Sequence, residues 1–368
     1  MEDAYFEFFQ FCLNDKLPLP ESSQKIGWKR MMALAERQAV VGITYGGIQR
    51  TGKSLGIPLD SLLEWIGVAN QIGVQNRLLN KRCVELIAEL DSAGFDCCIL
   101  KGQGNALMYP DPLLRNPGDI DVWVKPKNDD GEKTDVREVK RILRYVREKN
   151  PNGKTVYHHI DYGMYKGVKV EVHYRPTYMN NLIANRKLQR WMDGHKAAQF
   201  HNPVNLPEEE CLVNVPTWEF NVVFQLSHIY RHVIQHGIGL RQMIDYYYLL
   251  KSDESGLGNE YSILFRQLGL MKIAGAVMWV LKEVLGMEER YLIAPVDERR
   301  GRFLLAEMLE GGNFGHYDRR VNHGASPLAR NVQRLKRDIR LVRYFTSECL
   351  WEPVFRVYHF FWRKVYRT

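Results

Sequence analysis

The sequence predicts an α+β fold in which a small mixed β-sheet lies between an N-terminal and a C-terminal helical region. Apolar residues recur at helical spacing through most of residues 1–93 and again after Pro176. Between these regions, DIDVWV at 119–124 and VKVEVHY at 168–174 alternate apolar and polar residues with period two. Glycine and proline separate the two textures at Gly94, Pro110, Pro112, Pro117 and Gly118. The expected organisation is a helical region over 1–93, an α/β core over 94–178, and a helical region with a basic tail over 179–368.

Helical periodicity runs from Tyr5 to Leu13, from Trp28 to about Arg50, and from Asp60 to about Ala93. In the last of these, Leu62, Leu63, Ile66, Ala69, Ile72 and Gly73 form one stripe, with Asp60 or Ser61 as the cap. FDCCIL, entered through Gly94 and left through Lys101 and Gly102, reads as the first strand, and DIDVWV as the second. Residues 135–150 have helical period, with Asp135 and Glu138 spaced as a capping box. TVYHHI at 155–160 and VKVEVHY are joined by a hairpin-like stretch. Helices follow at 218–237, 240–250 and 268–286. The two helical regions can pack on each other, so they need not fold separately.

Composition narrows the function. A 45% hydrophobic and 26% charged content is ordinary for a globular chain, which excludes disorder as the main state. No run approaches the roughly 18 apolar residues of a membrane span. The start, MEDAYFEFFQ, has no basic n-region, and six cysteines show no CxxC pair, so a cytoplasmic protein with reduced thiols is expected. Net charge is +8, and residues 327–368 hold ten basic residues against three acidic ones. That tail suits nucleic acid or an anionic surface, or forms closing helices with solvated basic faces.

The chemistry centres on the alternating runs. Asp119 and Asp121, two apart on a strand, leave one face while Ile120, Val122 and Val124 leave the other. Lys169, Glu171 and His173 likewise share a face, opposite Val168, Val170 and Val172. If the strands are neighbours, Glu171 completes an acidic triad. Three convergent carboxylates can hold hard divalent cations and support phosphoryl or nucleotidyl transfer. Upstream, Gly102 lets a phosphate approach the backbone, and Lys101 brings positive charge to it.

ILKGQGNALMYPDPLLRNPGDIDVWV, then VEVHY, then HIYRHVIQHGIGLRQMIDYYYLL, together resemble the uncharacterised nucleotidyltransferase family of the DNA polymerase β-like superfamily. The resemblance covers roughly residues 33–250, with its specific motifs between Leu100 and Asp245. It implies a nucleotidyltransferase core in which Asp119, Asp121 and Glu171 bind Mg²⁺, or Mn²⁺ in its place. Gly102, with Lys101 and Gln103, would mark the nucleotide-phosphate loop. The implied reaction moves a nucleoside monophosphate from an NTP to an unidentified acceptor. The superfamily's usual Gly-Ser loop is replaced by Lys101-Gly102-Gln103, and the longer gap to Asp119 holds Arg115, a second candidate for a phosphate contact or else a solvent-exposed structural arginine.

Other signals have weaker context. GIQRTGKS at 47–54 fits the P-loop pattern, but a helical pattern precedes it and Gly56 and Pro58 follow, so it reads as a helix end and loop. His228, His232 and His236 recur at i, i+4 and i+8 without the Glu of HExxH; they line a substrate cleft or are satisfied in the core. Arg241 and Asp245 can form an i,i+4 pair at the same cleft, and His173 either orients an acceptor or shuttles a proton, or is a buried hydrogen-bonding histidine. Two rivals to the enzyme remain: an inactive module of the same fold that binds nucleotide or a protein partner, and a basic-tail binder of nucleic acid or membrane surface.

Overall fold

The computed structural model describes residues 2–52, 54–127, 136–253, 258–322, 324 and 326–366. Asp135 of the expected capping box, Lys53 of the P-loop-like octapeptide and Arg367 of the basic tail lie outside them. The chain divides into two units, neither of them a continuous stretch, so the three expected sequence ranges cross the division. Unit 1 is Met1–Gln75, Met108–Asn116 and His232–Tyr344; unit 2 is Asn76–Leu107, Pro117–Arg231 and Phe345–Thr368.

The N-terminal helices are α1 (Glu2–Leu13), α2 (Trp28–Gln38), α3 (Val41–Thr51) and the 34-residue α4 (Leu59–Ser92). The single helical span expected from Trp28 to Arg50 is broken at Ala39, which takes the left-handed conformation at φ 55°. Within unit 1, α3 lies so close to Leu114 that a Cβ on Gly42 would stand 1.9 Å from the Leu114 carbonyl oxygen. The P-loop-like residues form the last turns of α3 and its Gly52 C-cap, as their context predicts. Helix α4 starts a residue earlier than its expected caps, with Leu62 N–H donating to the Pro58 carbonyl. Its buried stripe runs through Ser61, Trp65, Ala69 and Ile72, while Leu63 is 56% exposed. The bulky indole is the better core anchor, and it turns the helix away from the Leu62–Leu63 side.

Strand β1 (Phe95–Ile99) leads into the single turn α5 (Gln103–Ala106), then β2 (Ile120–Pro126), α6 (Val136–Lys149), β3 (His159–Tyr165) and β4 (Val168–His173). The sheet order is β1-β2-β4-β3. The β1–β2 and β3–β4 pairs are antiparallel and the β2–β4 pair is parallel. The strand expected at Thr155–Ile160 is displaced. Thr155 makes only an isolated bridge to Ile160, and β3 proper starts at His159 and bulges between Asp161 and Gly163.

One sheet face carries Ile120, Val122, Val124, Val168, Val170 and Val172. It packs on Leu79, Cys83, Leu86 and Leu90 of α4 and on Val139, Ile142, Leu143 and Val146 of α6. Burying aliphatic side chains from strands and helices together is the main stabilising term of this unit, about 1.5–3 kcal/mol for each fully buried one. Glu138 is buried in an ion pair with Lys196 at 2.6 Å.

The remaining elements are α7 (Leu182–Gly194), α8 (Lys196–Gln199), the hairpin β5 (Pro203–Asn205) and β6 (Leu212–Asn214), α9 (Trp218–Gln235), α10 (Leu240–Lys251), α11 (Gly258–Leu268), α12 (Met271–Trp279), α13 (Glu298–Gly311), α14 (Pro327–Leu341) and α15 (Thr346–Val365). The helix expected over 268–286 is interrupted by Gly269 at φ 77°, and a π turn at Val280–Val284 extends α12. Phe355 and Trp362 of α15, and Tyr366 just after it, join the core of unit 2. All six cysteines are free thiols. Among the described residues no helix is long and apolar enough to cross a membrane.

Candidate active site

The face of the sheet opposite the aliphatic core carries the polar side chains. Parallel pairing of β2 with β4 sets Asp121 directly beside Glu171, and antiparallel pairing of β3 with β4 sets Asp161 on the other side of Glu171. Three carboxylates from three strands therefore lie in one row. The next row along holds His173 beside His159. Asp119 immediately precedes β2 and shares the face of Asp121.

Positive groups answer this acidic row. Lys101 Nζ lies 2.8 Å from Asp121 Oδ2, and His173 Nε2 donates to Asp121 Oδ1 at 2.8 Å. Burial works against ionisation of Asp121, but Lys101 and then His173 outweigh it and hold the carboxyl far below the usual range. Lys169 contacts Glu171 at 2.7 Å and Asp119 at 3.7 Å, and His159 Nδ1 lies 3.2 Å from Glu171 Oε2. For Glu171, burial and Asp121 push upward, while His159, His173 and Lys101 together bring the pKa below its ordinary value. Asp119 goes the other way: burial and then the Asp121 charge raise its pKa. Its side chain is nevertheless 35% exposed, the most accessible of the three predicted acids.

The donor atoms of Asp121, Glu171 and His173 lie within 4.8 Å of one another, as do those of His159, Asp161 and Glu171 and those of His158, His159 and His173. Asp119 stands outside these close groups but on the same acidic face. Carboxylate oxygens are the donors that Mg²⁺ and Mn²⁺ both take, and the neighbouring imidazoles suit Mn²⁺ better than Mg²⁺, so the carboxylates fit a hard divalent ion. The hydrogen bond from His173 orients Asp121 in the way that outer partners orient a metal-binding carboxylate.

His158, His159 and Asp161 were absent from the sequence expectation. Their signal was the alternation of His159 and Asp161 with Ile160 and Tyr162. His158 accepts from Arg231 at 2.5 Å, and burial followed by the Arg231 charge keeps its pKa well below normal.

Gly102 caps α5 at φ 61°, and a Cβ there would meet only Asp119 O, at 3.6 Å. The backbone thus turns through a conformation that favours glycine and leaves the approach open. Gln103 is buried, its amide donating to Asn80 Oδ1 and to Asn76 O of α4. His228 Nε2 lies 3.2 Å from Lys101 Nζ in unit 2.

The other expected cleft residues belong to unit 1. There Arg115 clasps Asp245 with two hydrogen bonds of 2.8 Å, and the Tyr109 hydroxyl donates to Asp245 at 2.7 Å. Asp245 thus has Arg115, 130 residues away in sequence, as its close ion-pair partner, and Arg241 adds a weaker charge effect. His232 packs against Phe314, 4.9 Å between ring centres.

A sequence profile described as uncharacterised nucleotidyltransferase matches residues 24–286. The chain belongs to this nucleotidyltransferase family. The match contains every acid of the candidate site and ends before α13. No curated protein matches. A crystal structure of an antigenic nucleotidyltransferase-like protein from Paracoccidioides brasiliensis is similar at 14% identity over 61% of this chain and 96% of its own, with a TM-score of 0.32. For the nucleotidyltransferase family member described here, the β2–β4 register is the feature that joins the two acidic strands.

Proposed function

We propose that this chain transfers a nucleoside monophosphate from an NTP to an acceptor hydroxyl, with Asp119, Asp121 and Glu171 holding Mg²⁺ or Mn²⁺. The observation that supports it most is the parallel pairing of Asp121 with Glu171, which joins the DxD strand to a third carboxylate on one polar face. Bound there, a divalent ion would supply charge neutralisation of the phosphates and acidification of the attacking hydroxyl.

The chain's own groups have the remaining tasks. Lys101 is partly exposed and carries a positive charge to the β and γ phosphates, and Gly102 lets them close on the backbone. Glu171, held ionised by its imidazole and lysine neighbours, accepts the hydroxyl proton. The acceptor oxygen bonds to the α-phosphorus, the bond from that phosphorus to the bridging β-phosphate oxygen breaks, and pyrophosphate leaves. His173 fixes the carboxylate of Asp121. Gln103 contributes no side chain to the phosphates because its amide is engaged by α4, and Arg115 serves structure through Asp245.

The test is transfer of label from an α-³²P-labelled NTP, with Mg²⁺ or Mn²⁺, into protein, nucleic-acid or small-molecule hydroxyl acceptors. Removing several kcal/mol of transition-state stabilisation means that Asp119→Asn and Asp121→Asn each slow transfer by about a thousandfold or more. Near-normal transfer by either variant, with its circular dichroism unchanged, would falsify the assignment.

A second reading is favoured by one observation: both oxygens of Asp121 are already engaged, by Lys101 and His173, beside a loop with no serine. On that reading the chain is an inactive relative that binds nucleotide or a protein partner. Calorimetry with NTP separates the two, since the inactive module gives no Mg²⁺-dependent gain in nucleotide affinity.

A further inference from the structure

Unit 1 contains a cavity of about 400 Å³ whose lining is cationic. Arg330, Arg334, Lys336, Arg337 and Arg340 reach it from α14, and Arg320 from the segment before that helix. All six lie beyond residue 286, where the family match ends, so family membership accounts for none of them. The carboxylates paired with this set are shared: Glu307 contacts both Arg320 and Arg340, and Asp318 contacts Arg320. Among the described residues Arg330, Arg334 and Lys336 form no ion pair.

Helix α14 also has an unusual orientation. Leu328, Val332, Leu335 and Ile339, at spacings of four, three and four, are all exposed, so its apolar stripe faces outward. Arg337, nearly opposite that stripe, is buried. Its guanidinium donates to the Ile234 and Val233 carbonyls at the end of α9, at 2.9 and 2.7 Å. Burial, and after it the neighbouring cations Arg340 and Arg320, lower the Arg337 pKa despite Glu307. A helix that turns arginines toward a cavity and leucines toward solvent forgoes apolar burial and accumulates like charge. An anionic occupant offsets the second cost.

The geometry points to a binding site for a compact oligophosphate, a ligand carrying two or more linked phosphates, in the α14 cavity of unit 1. Guanidinium forks match phosphate oxygens in pairs, and Arg330, Arg334 and Arg337 span roughly 10 Å of helix rise. The volume lies within the about 300–1,000 Å³ usual for small-molecule sites. Phe314, held in the left-handed region at φ 52°, gives one wall an aromatic surface suited to a ring attached to the phosphates.

Inorganic tripolyphosphate is the probe, titrated by calorimetry into the full chain with EDTA present, and with sulfate at equal ionic strength as the competitor. Binding that sulfate does not displace, and that falls by about tenfold or more in Arg330→Ala/Arg334→Ala, is expected. Both residues are exposed, so the double variant should keep its fold, checked by its melting temperature. Arg334→Lys, which keeps the charge and loses the fork, should bind with intermediate strength. Lys101→Ala, which weakens phosphate binding at the acidic site, should keep the part of the binding that the double variant removes. Tripolyphosphate affinity unchanged in the double variant, lost in Lys101→Ala, or matched by sulfate would overturn the site. So would binding restricted to single-stranded RNA or to vesicles of phosphorylated lipid, with none of free tripolyphosphate.

Discussion

Replacing Arg115 by leucine tests whether that arginine is a structural partner or a phosphate ligand. Its guanidinium and the Asp245 carboxylate are 5% and 7% exposed and share two hydrogen bonds of 2.8 Å. Leucine leaves Asp245 buried with the Tyr109 hydroxyl as its close donor, and an uncompensated buried charge costs about 3–5 kcal/mol. In a unit of about 200 residues each kcal/mol moves Tm by roughly 2–4 °C, so Arg115→Leu should melt about 6–20 °C below the unaltered chain at pH 7. The pH dependence has a defined sign. Burial opposes ionisation of Asp245, and Arg115 reverses that and lowers its pKa. The pair therefore stabilises above the unfolded carboxyl range and loses that contribution as pH falls through the folded value. In Arg115→Leu burial is opposed only by the Tyr109 hydrogen bond and the weaker Arg241 charge, so the carboxyl protonates more readily, and the deficit should shrink from pH 7 to pH 4.5. Arg115→Leu/Asp245→Leu should recover much of the loss, because no lone charge is left. Differential scanning calorimetry across pH reads all of this. A Tm within about 2 °C of the unaltered chain, or a double variant whose loss equals the sum of the two singles, refutes the structural role.

Two further outcomes concern stability. Glu348 is buried, accepts hydrogen bonds from the Asn180 and Asn181 amides, and is pushed by burial to a pKa of about 7. Its folded value exceeds its unfolded one, so its stabilising contribution is full below about pH 4.5 and declines as pH rises to about 7. Urea denaturation at pH 5, 6 and 7 should show the stability gap between the unaltered chain and Glu348→Gln narrowing or reversing with rising pH, and parallel profiles contradict it. Gly42→Ala puts a methyl group 1.9 Å from the Leu114 carbonyl oxygen and should cost about 1–3 kcal/mol or more. Gly67→Ala, in α4 with open space around it, should instead gain about 1 kcal/mol; thermal melts in which both move the same way contradict the packing argument.

The strands were legible wherever alternation was unbroken. DIDVWV and VKVEVHY keep period two from end to end, and both form β2 and β4 with the aliphatic residues inward. TVYHHI misled because β3 bulges between Asp161 and Gly163, and the extra residue destroys the period that would have carried the strand to Tyr165. With the run ended at Ile160, one residue short of Asp161, the pattern sets neither Asp161 nor His159 beside β4. In α4 apolar residues lie on more than one side, so spacing alone favoured Leu62 and Leu63 over Trp65. Asp245 shows a different limit, since local spacing could offer it only Arg241, while its close partner, Arg115, stands 130 residues away.

The acidic site shows where a local pattern stops being enough. Alternation puts Asp121 and Glu171 each on a polar face, but only the β1-β2-β4-β3 order makes those faces neighbours, and a hairpin-only sheet of the same strands would separate them. Once adjacent, they need opposite charge, because two buried carboxylates in register repel. Lys101 provides it from the residue before Gly102, where the positive φ turns the chain from β1 into α5. The tripeptide that departs from the superfamily's Gly-Ser loop is therefore also the one that balances Asp121. Loop chemistry and acid chemistry are one electrostatic unit here, and a serine hydroxyl at Gln103 would replace neither the Lys101 charge nor the amide bonds that tie α5 to α4.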